Sequence, residues 1–171
     1  MADRLADITV EDARLIFKNF AGEEDQYNRK GNRNFGVVLD PEDARDMEKL
    51  GWNVKWPKPR ENAEEGDEPL KPHINVTAKY DGPRPPRIFM ITNQGRKRTE
   101  LEEEMVDMLD YADIETVDLI FSAYHWSLPS GSSGIKAYLK TMYVHIREDE
   151  LDIKYADIPD AYELPKEEPD F

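Results

Sequence analysis

The sequence predicts a mainly β domain, a small antiparallel β-barrel or sandwich with two short helices and a flexible acidic C-terminal tail. Short runs rich in β-branched and aromatic residues recur along the chain, several of them alternating apolar with polar side chains. Pro- and Gly-rich connections separate these runs, and only two stretches carry helix start and stop signals. That balance favours a Greek-key barrel or sandwich over a parallel α/β sheet, which needs a helix after nearly every strand. With 39% hydrophobic and 10% aromatic residues in 171, the chain can fill one core, so residues 1–154 read as a single domain and 155–171 as the tail.

The first strand is "ARLIFKNF" (Ala13 to Phe20) and the second "NFGVVL" (Asn34 to Leu39), in which Phe35, Val37 and Leu39 share a phase and face the core. A helix follows, with Asp40 as N-cap, Pro41 at its first position, Glu42 and Asp43 in its first turn, and Gly51 after Leu50 as its stop. Trp52 reads as a packing residue, while Trp56, between Lys55 and the Pro57 to Pro59 stretch, fits a core or a binding role equally. In "INVTAKY", Ile74, Val76, Ala78 and Tyr80 alternate with Asn75, Thr77 and Lys79, as in a half-buried strand. "RIFMIT" comes next, after the extended connection "DGPRPPR". Thr99 and Glu102 have capping-box spacing, and Leu101, Met105, Met108, Leu109 and Ala112 make one apolar stripe, which predicts a second helix with its methionines in the core. Two strong strands, "VDLIFSAYHW" and "IKAYLKTMYVHI", are joined by the hairpin loop "SLPSGSSG". From Glu148 onward periodicity fades and acids dominate.

Several function classes drop out. The chain has no Cys, which removes disulfide scaffolds, thiolate zinc sites and cysteine nucleophiles and suits a reducing cytoplasm. "MADRLADITV" lacks a basic stretch leading into an apolar one, and "IFMI" is far short of the roughly 20 apolar residues that span a bilayer, so neither a standard export signal nor a membrane span is expected. No Gly-rich phosphate loop, paired-His zinc motif or calcium loop occurs. "GSSG" lacks the strand-to-helix context of a nucleophile elbow, and His73, His125 and His145 are scattered without ligand spacing. "DIK" (Asp152 to Lys154) has no matching upstream acid at a strand end. No cofactor, metal or enzymatic activity is therefore expected. The net charge of −14 is unevenly spread: residues 1–100 carry 18 basic and 19 acidic groups, residues 146–171 carry 3 and 10. Acidity confined in this way leaves room for a nucleic-acid partner.

Basic and aromatic residues recur together. "YNRKGNRNF" gathers Tyr27, Arg29, Lys30, Arg33 and Phe35; "WNVKWPKPR" gathers Trp52, Lys55, Trp56, Lys58 and Arg60; "QGRKR" adds Arg96, Lys97 and Arg98. Single-stranded nucleic acid needs this mixture, because cations track its phosphates while flat rings stack on its unpaired bases. In the last hairpin Lys136, Tyr138 and Lys140 share one face, and Tyr124 and Trp126 share a face of the preceding strand. A register opposing Tyr124 to Tyr138 would join them into one platform, and a slip of one residue would part them.

The chain closes on "KEEPDF". An acidic tail can compete with nucleic acid for a basic groove, and a terminal Phe offers a protein partner an apolar ring and an α-carboxylate. An acidic C-terminal tail ending in Phe after a small β-rich domain resembles single-stranded DNA-binding proteins of the OB-fold type, especially phage-encoded ones. "NRNFGVVLD", "GWNVKWPKPRE", "PPRIFMIT", "VDLIFSAYHW" and "GIKAYLKTMYVHI" are similar to the same phage group, over about residues 10–155 plus the end of the tail. The resemblance implies an OB-fold-like antiparallel barrel whose groove binds single strands. It also implies a tail whose Glu167, Glu168, Asp170 and Phe171 contact replication and recombination proteins.

The expected function is thus coating of single-stranded DNA, without sequence preference, in phage replication, recombination or repair in the host cytoplasm, with a homodimer as an option. The DNA-binding residues would be Arg29, Lys30, Arg33, Lys55, Trp56, Lys58, Arg60, Arg96, Lys97, Arg98, Tyr124, Trp126, Lys136, Tyr138 and Lys140. Two rivals stand beside this reading. A phage structural or assembly β-barrel without DNA affinity would use the same aromatics as core or subunit interface, and a metal-dependent nuclease would use some of the many carboxylates.

Overall fold

The strand expected from Ala13 to Phe20 is present as β2 (Leu15–Asn19), and an unforeseen strand, β1 (Ile8–Ala13), precedes it. The chain breaks its alternation twice here: Asp12 and Phe17 both adopt positive φ, 52° and 51°, and each lies at an irregularity in strand pairing. These residues belong to a computed structural model that describes residues 5–26, 28–58, 71–155 and 158. β3 (Arg33–Val38) leads into helix α1 (Pro41–Leu50), and β4 (Val54–Lys55) follows it. Next come β5 (His73–Ala78), β6 (Arg87–Thr92) and β7 (Lys97–Leu101). A 3-10 helix (Glu103–Asp110) precedes the two longest strands, β8 (Ile114–Ser127) and β9 (Ser133–Ile146), and the short helix α2 (Glu150–Lys154) is the last described element.

The described strands form one sheet with the path β1-β8-β9-β5-β3-β2. Ala13 of β1 pairs with Val117 and Leu15 of β2 pairs with Val37, so the two ends of the path meet at the chain itself, around Arg14. The fold is mainly β as expected, and the sheet curls into a barrel-like shape, although among the described residues no β1–β2 ladder closes it. Most pairs are antiparallel, as expected, and the exceptions lie on β9. β9 has β8 along one edge, while its other edge is shared by β5 at Ala137–Tyr138 and β6 at Thr141–His145, both parallel to it. β8 and β9 also slip by one residue at Lys140, because Ile120 pairs with Thr141 but Phe121 with Leu139. Such a bulge changes which residues of β9 face inward. Ala137 and Leu139 are buried before it, Met142 and Val144 after it, so Tyr138 and Tyr143 both look outward.

Phe35, Val37, Ile74, Val76, Leu119 and Phe121 line the concave core, where each large side chain contributes about 1.5–3 kcal/mol on burial. Helix α1 caps it with Ala44 and Met47. Gly51 stops that helix in the left-handed region (φ 105°), its N–H donating to the Glu48 carbonyl, and Trp52 packs edge-on against Phe121 with centroids 5.3 Å apart. The second helix differs from its expectation. Thr99 and Leu101 lie in β7, no side chain caps Glu103, and Met105 and Met108 are 43% and 40% exposed. The cause is the helix type. A 3-10 helix repeats every three residues, so Val106 joins the expected Leu109 in the buried stripe and the two methionines leave it. A third helix, α2, carries a capping box between Asp149 and Asp152 where the sequence pattern had faded.

Candidate nucleic-acid interface

β8 and β9 turn opposite faces to core and solvent. Val117, Leu119 and Phe121 point inward, which leaves Ser122, Tyr124 and Trp126 on the outer face beside Lys136 and Tyr138. Tyr124 is paired with Lys136, and Ser122 with Tyr138, so the expected Tyr124–Tyr138 pair is corrected by two positions. An even shift preserves the face, and the rings still meet diagonally, 5.4 Å between centroids. Trp126 lies across from Gly134, and its indole occupies the space where a side chain would stand.

Cations gather on these rings. Lys136 and Lys79 each place their ammonium 5.5 Å from the Tyr138 centroid, a distance at which ring and charge attract. Lys79 comes from the chain just beyond β5, and its neighbour Thr77 pairs with Tyr138. Beside them opens a cleft of about 380 Å³ lined by Lys30, Arg33, Lys79, Lys136 and Tyr138, with Asp81 and Glu103 as its acids. Tyr80 also lines it; burial, helped by Glu103 and opposed by Arg33, pushes its hydroxyl pKa up to about 12. Three chain segments remote in sequence thus place three lysines and an arginine around Tyr138.

The other expected residues divide by position. Arg33 is fastened to the fold, donating to the Phe20 carbonyl and facing Glu103 at 4.0 Å. Arg29 is exposed near the cleft's Lys30. Lys140 sits on the bulge and pairs with Asp7 at 3.0 Å. Lys55 shares the outer face with His73, whose pKa is lowered first by burial and then by the Lys55 charge. Trp56 is exposed and leans on α1, its Nε1 donating to Glu48 at 2.7 Å with Arg45 over its ring; Lys58 follows it, also exposed. Arg96, Lys97 and Arg98 stand on the β6–β7 hairpin, beside the other half of β9. Arg60 and the tail residues Glu167, Glu168, Asp170 and Phe171 lie outside the described residues, as does Tyr27.

Sequence reasoning missed Lys79 and Phe17. The former was legible only as a polar position in an alternating strand, since what brings it to the Tyr138 ring is a strand pairing. Phe17 is 74% exposed and packs edge-on against His73 at 5.5 Å, because its positive φ turns it out of the phase that its neighbours suggest. Among the described residues no group of three or more His, Asp or Glu is arranged to hold a metal ion, and no helix is long and apolar enough to cross a membrane.

A family model described as "Putative phage ssDNA-binding domain" matches residues 1–169. No curated protein matches the chain. Among solved structures, the chain is similar to the single-stranded DNA-binding protein from bacteriophage Enc34. Its C-terminal truncation aligns with TM-score 0.51 at 10% identity, covering 84% of this chain and 87% of that one. The same phage protein in complex with ssDNA aligns with TM-score 0.52 at 10% identity, over 84% and 88%.

Proposed function

The chain belongs to the phage ssDNA-binding domain family, and from that premise we propose that it binds single-stranded DNA, without reading sequence, on the outer face of β8, β9 and β5. The observation that carries this reading is the Tyr124–Tyr138 pair with Lys79 and Lys136 against one ring and Trp126 on the same face. Bases stack on the rings while the lysines, with Arg29, Lys30 and Lys55 around them, follow the phosphates. Duplex DNA hides its base faces and is the poorer ligand. Binding, not catalysis, is the activity. The protein coats strands exposed during phage replication, recombination or repair in the host cytoplasm, and Glu167, Glu168, Asp170 and Phe171 dock replication or recombination proteins through acidic and apolar contacts. Two copies would pair through an open sheet edge such as β1, which is paired on one side.

The test is tryptophan fluorescence during titration with a thymidine oligonucleotide and with duplex DNA at two salt concentrations. Saturable quenching by the single strand, weakened by salt and reduced by about 1–3 kcal/mol in Tyr138→Leu, is the expected result. No saturable response in the unaltered protein overturns the reading.

A further inference from the structure

The outer face continues past the cleft and repeats its chemistry with other residues. The bulge at Lys140 returns Tyr143 to the face that carries Tyr138. β6 runs beside this part of β9 and sets Phe89 opposite Tyr143, their rings stacked 4.9 Å apart with planes 13° from parallel. Over the same Phe89 ring stand two guanidinium groups, Arg87 at 4.9 Å and Arg98 at 5.1 Å from its centroid. One carboxylate answers them: Glu100 accepts from Arg87 Nε at 3.1 Å and Nη2 at 3.3 Å, and that hydrogen bond, with the charges of Arg87 and Arg98, holds its pKa below the usual range. Arg87, Arg98 and Glu100 together carry a charge of +1 over the Phe89 side of the stack, and Asp118 supplies a second carboxylate on its Tyr143 side. Asp118, across from Tyr143 on β8, is engaged with the Asp12 N–H and with His145.

We propose that Phe89, Tyr143, Arg87 and Arg98 form a second subsite for single-stranded DNA, taking the stretch of strand that leaves the Tyr124–Tyr138 subsite; this rests on reading that first subsite as DNA-binding. The guanidinium forks take phosphate oxygens, and half-buried Tyr143, one face of which is covered by Phe89, offers its remaining ring surface to a base. Five residues of strand separate Tyr138 from Tyr143, about 15 Å, so a short oligonucleotide occupies the first subsite without reaching the second.

Length separates the two subsites experimentally. Fluorescence anisotropy would follow labelled oligothymidines from the dinucleotide up to about 16 nucleotides, the upper span of known single-fold sites. Affinity of the unaltered protein should rise in two stages with length. The double variant Arg98→Ala, Tyr143→Leu should keep the first stage and lose the second, about tenfold at the longest length. Arg98→Ala alone, a change at an exposed side chain that keeps the test open should the double variant misfold, should lower the salt slope of the longest oligonucleotide by about 0.7. Lys136→Ala should weaken every length. Equal weakening at all lengths, or none, in the Arg98 variants overturns the second subsite alone. Failure of the unaltered protein to bind any length overturns both subsites together.

Discussion

Gly134 decides whether Trp126 can lie where it does. A Cβ at residue 134 would stand 2.7 Å from Trp126 Cζ2 and 2.9 Å from Cε2, closer than side-chain atoms approach, so the indole lies flat over the strand only because glycine faces it. Gly134→Ala should lift the ring from the outer face. In a Trp56→Phe background, which leaves buried Trp52 and Trp126 as emitters, the change should appear as an altered Trp126 emission and a severalfold loss of oligothymidine affinity. The melting temperature should hardly move, since the displaced ring lies outside the core. Gly131 supplies the control. It lies in the same hairpin, at φ 95° but with nothing within 4 Å of a Cβ, so Gly131→Ala strains the turn and leaves the binding face intact. Unchanged emission and affinity in Gly134→Ala would remove Trp126 from the interface.

The 3-10 helix shows what an element's burial depends on besides its composition. Val106 and Leu109, three residues apart, are fully buried, while Met105 and Met108 on the neighbouring positions are not. Val106→Ala should therefore cost about 2 kcal/mol in urea unfolding and Met105→Ala less than about 0.5 kcal/mol; equal costs would indicate packing with the α-helical period. Eight residues cannot distinguish a period of 3.0 from one of 3.6 by composition, which is why the stripe expected from the sequence placed Leu101 and Leu109 correctly but included Met105 and Met108 in place of Val106. Half-buried strands were legible for the opposite reason. A period of two is unmistakable in "INVTAKY", and α1 announced both its ends through Asp40, Pro41 and Gly51. Pairing was not legible, because register is a property of two segments. The aromatic face of the hairpin could be foreseen from the parity of Tyr124, Trp126, Lys136 and Tyr138. The bulge at Lys140, the parallel neighbours of β9 and the arrival of Lys79 and Phe89 depend on contacts that no single segment encodes.

At the scale of the molecule, a chain of net charge −14 must approach a polyanion. Two electrostatic effects with opposite salt responses then compete. On the proposed reading, phosphate contacts at the lysine-lined cleft release counterions and weaken as salt rises, whereas long-range repulsion between protein and strand is screened away by the same salt. Residues 155–171 contribute six acids and one lysine to that repulsion. Tethered to the domain, they would also compete at high effective concentration for whatever cations the strand would use. Removing everything after Tyr155 should therefore raise affinity for oligothymidine severalfold at about 0.02 M salt, and the gain should shrink by about 0.15 M, where the screening length falls to roughly 8 Å. A full-length variant carrying Asn and Gln at Asp157, Asp160, Glu163, Glu167, Glu168 and Asp170 separates charge from chain length. If it binds as tightly as the truncated protein, the acids are what oppose DNA; if it binds like the unaltered chain, bulk is. Identical affinities for all three proteins across the salt range would leave the segment no part in DNA binding, and only its proposed contacts with other proteins would stand.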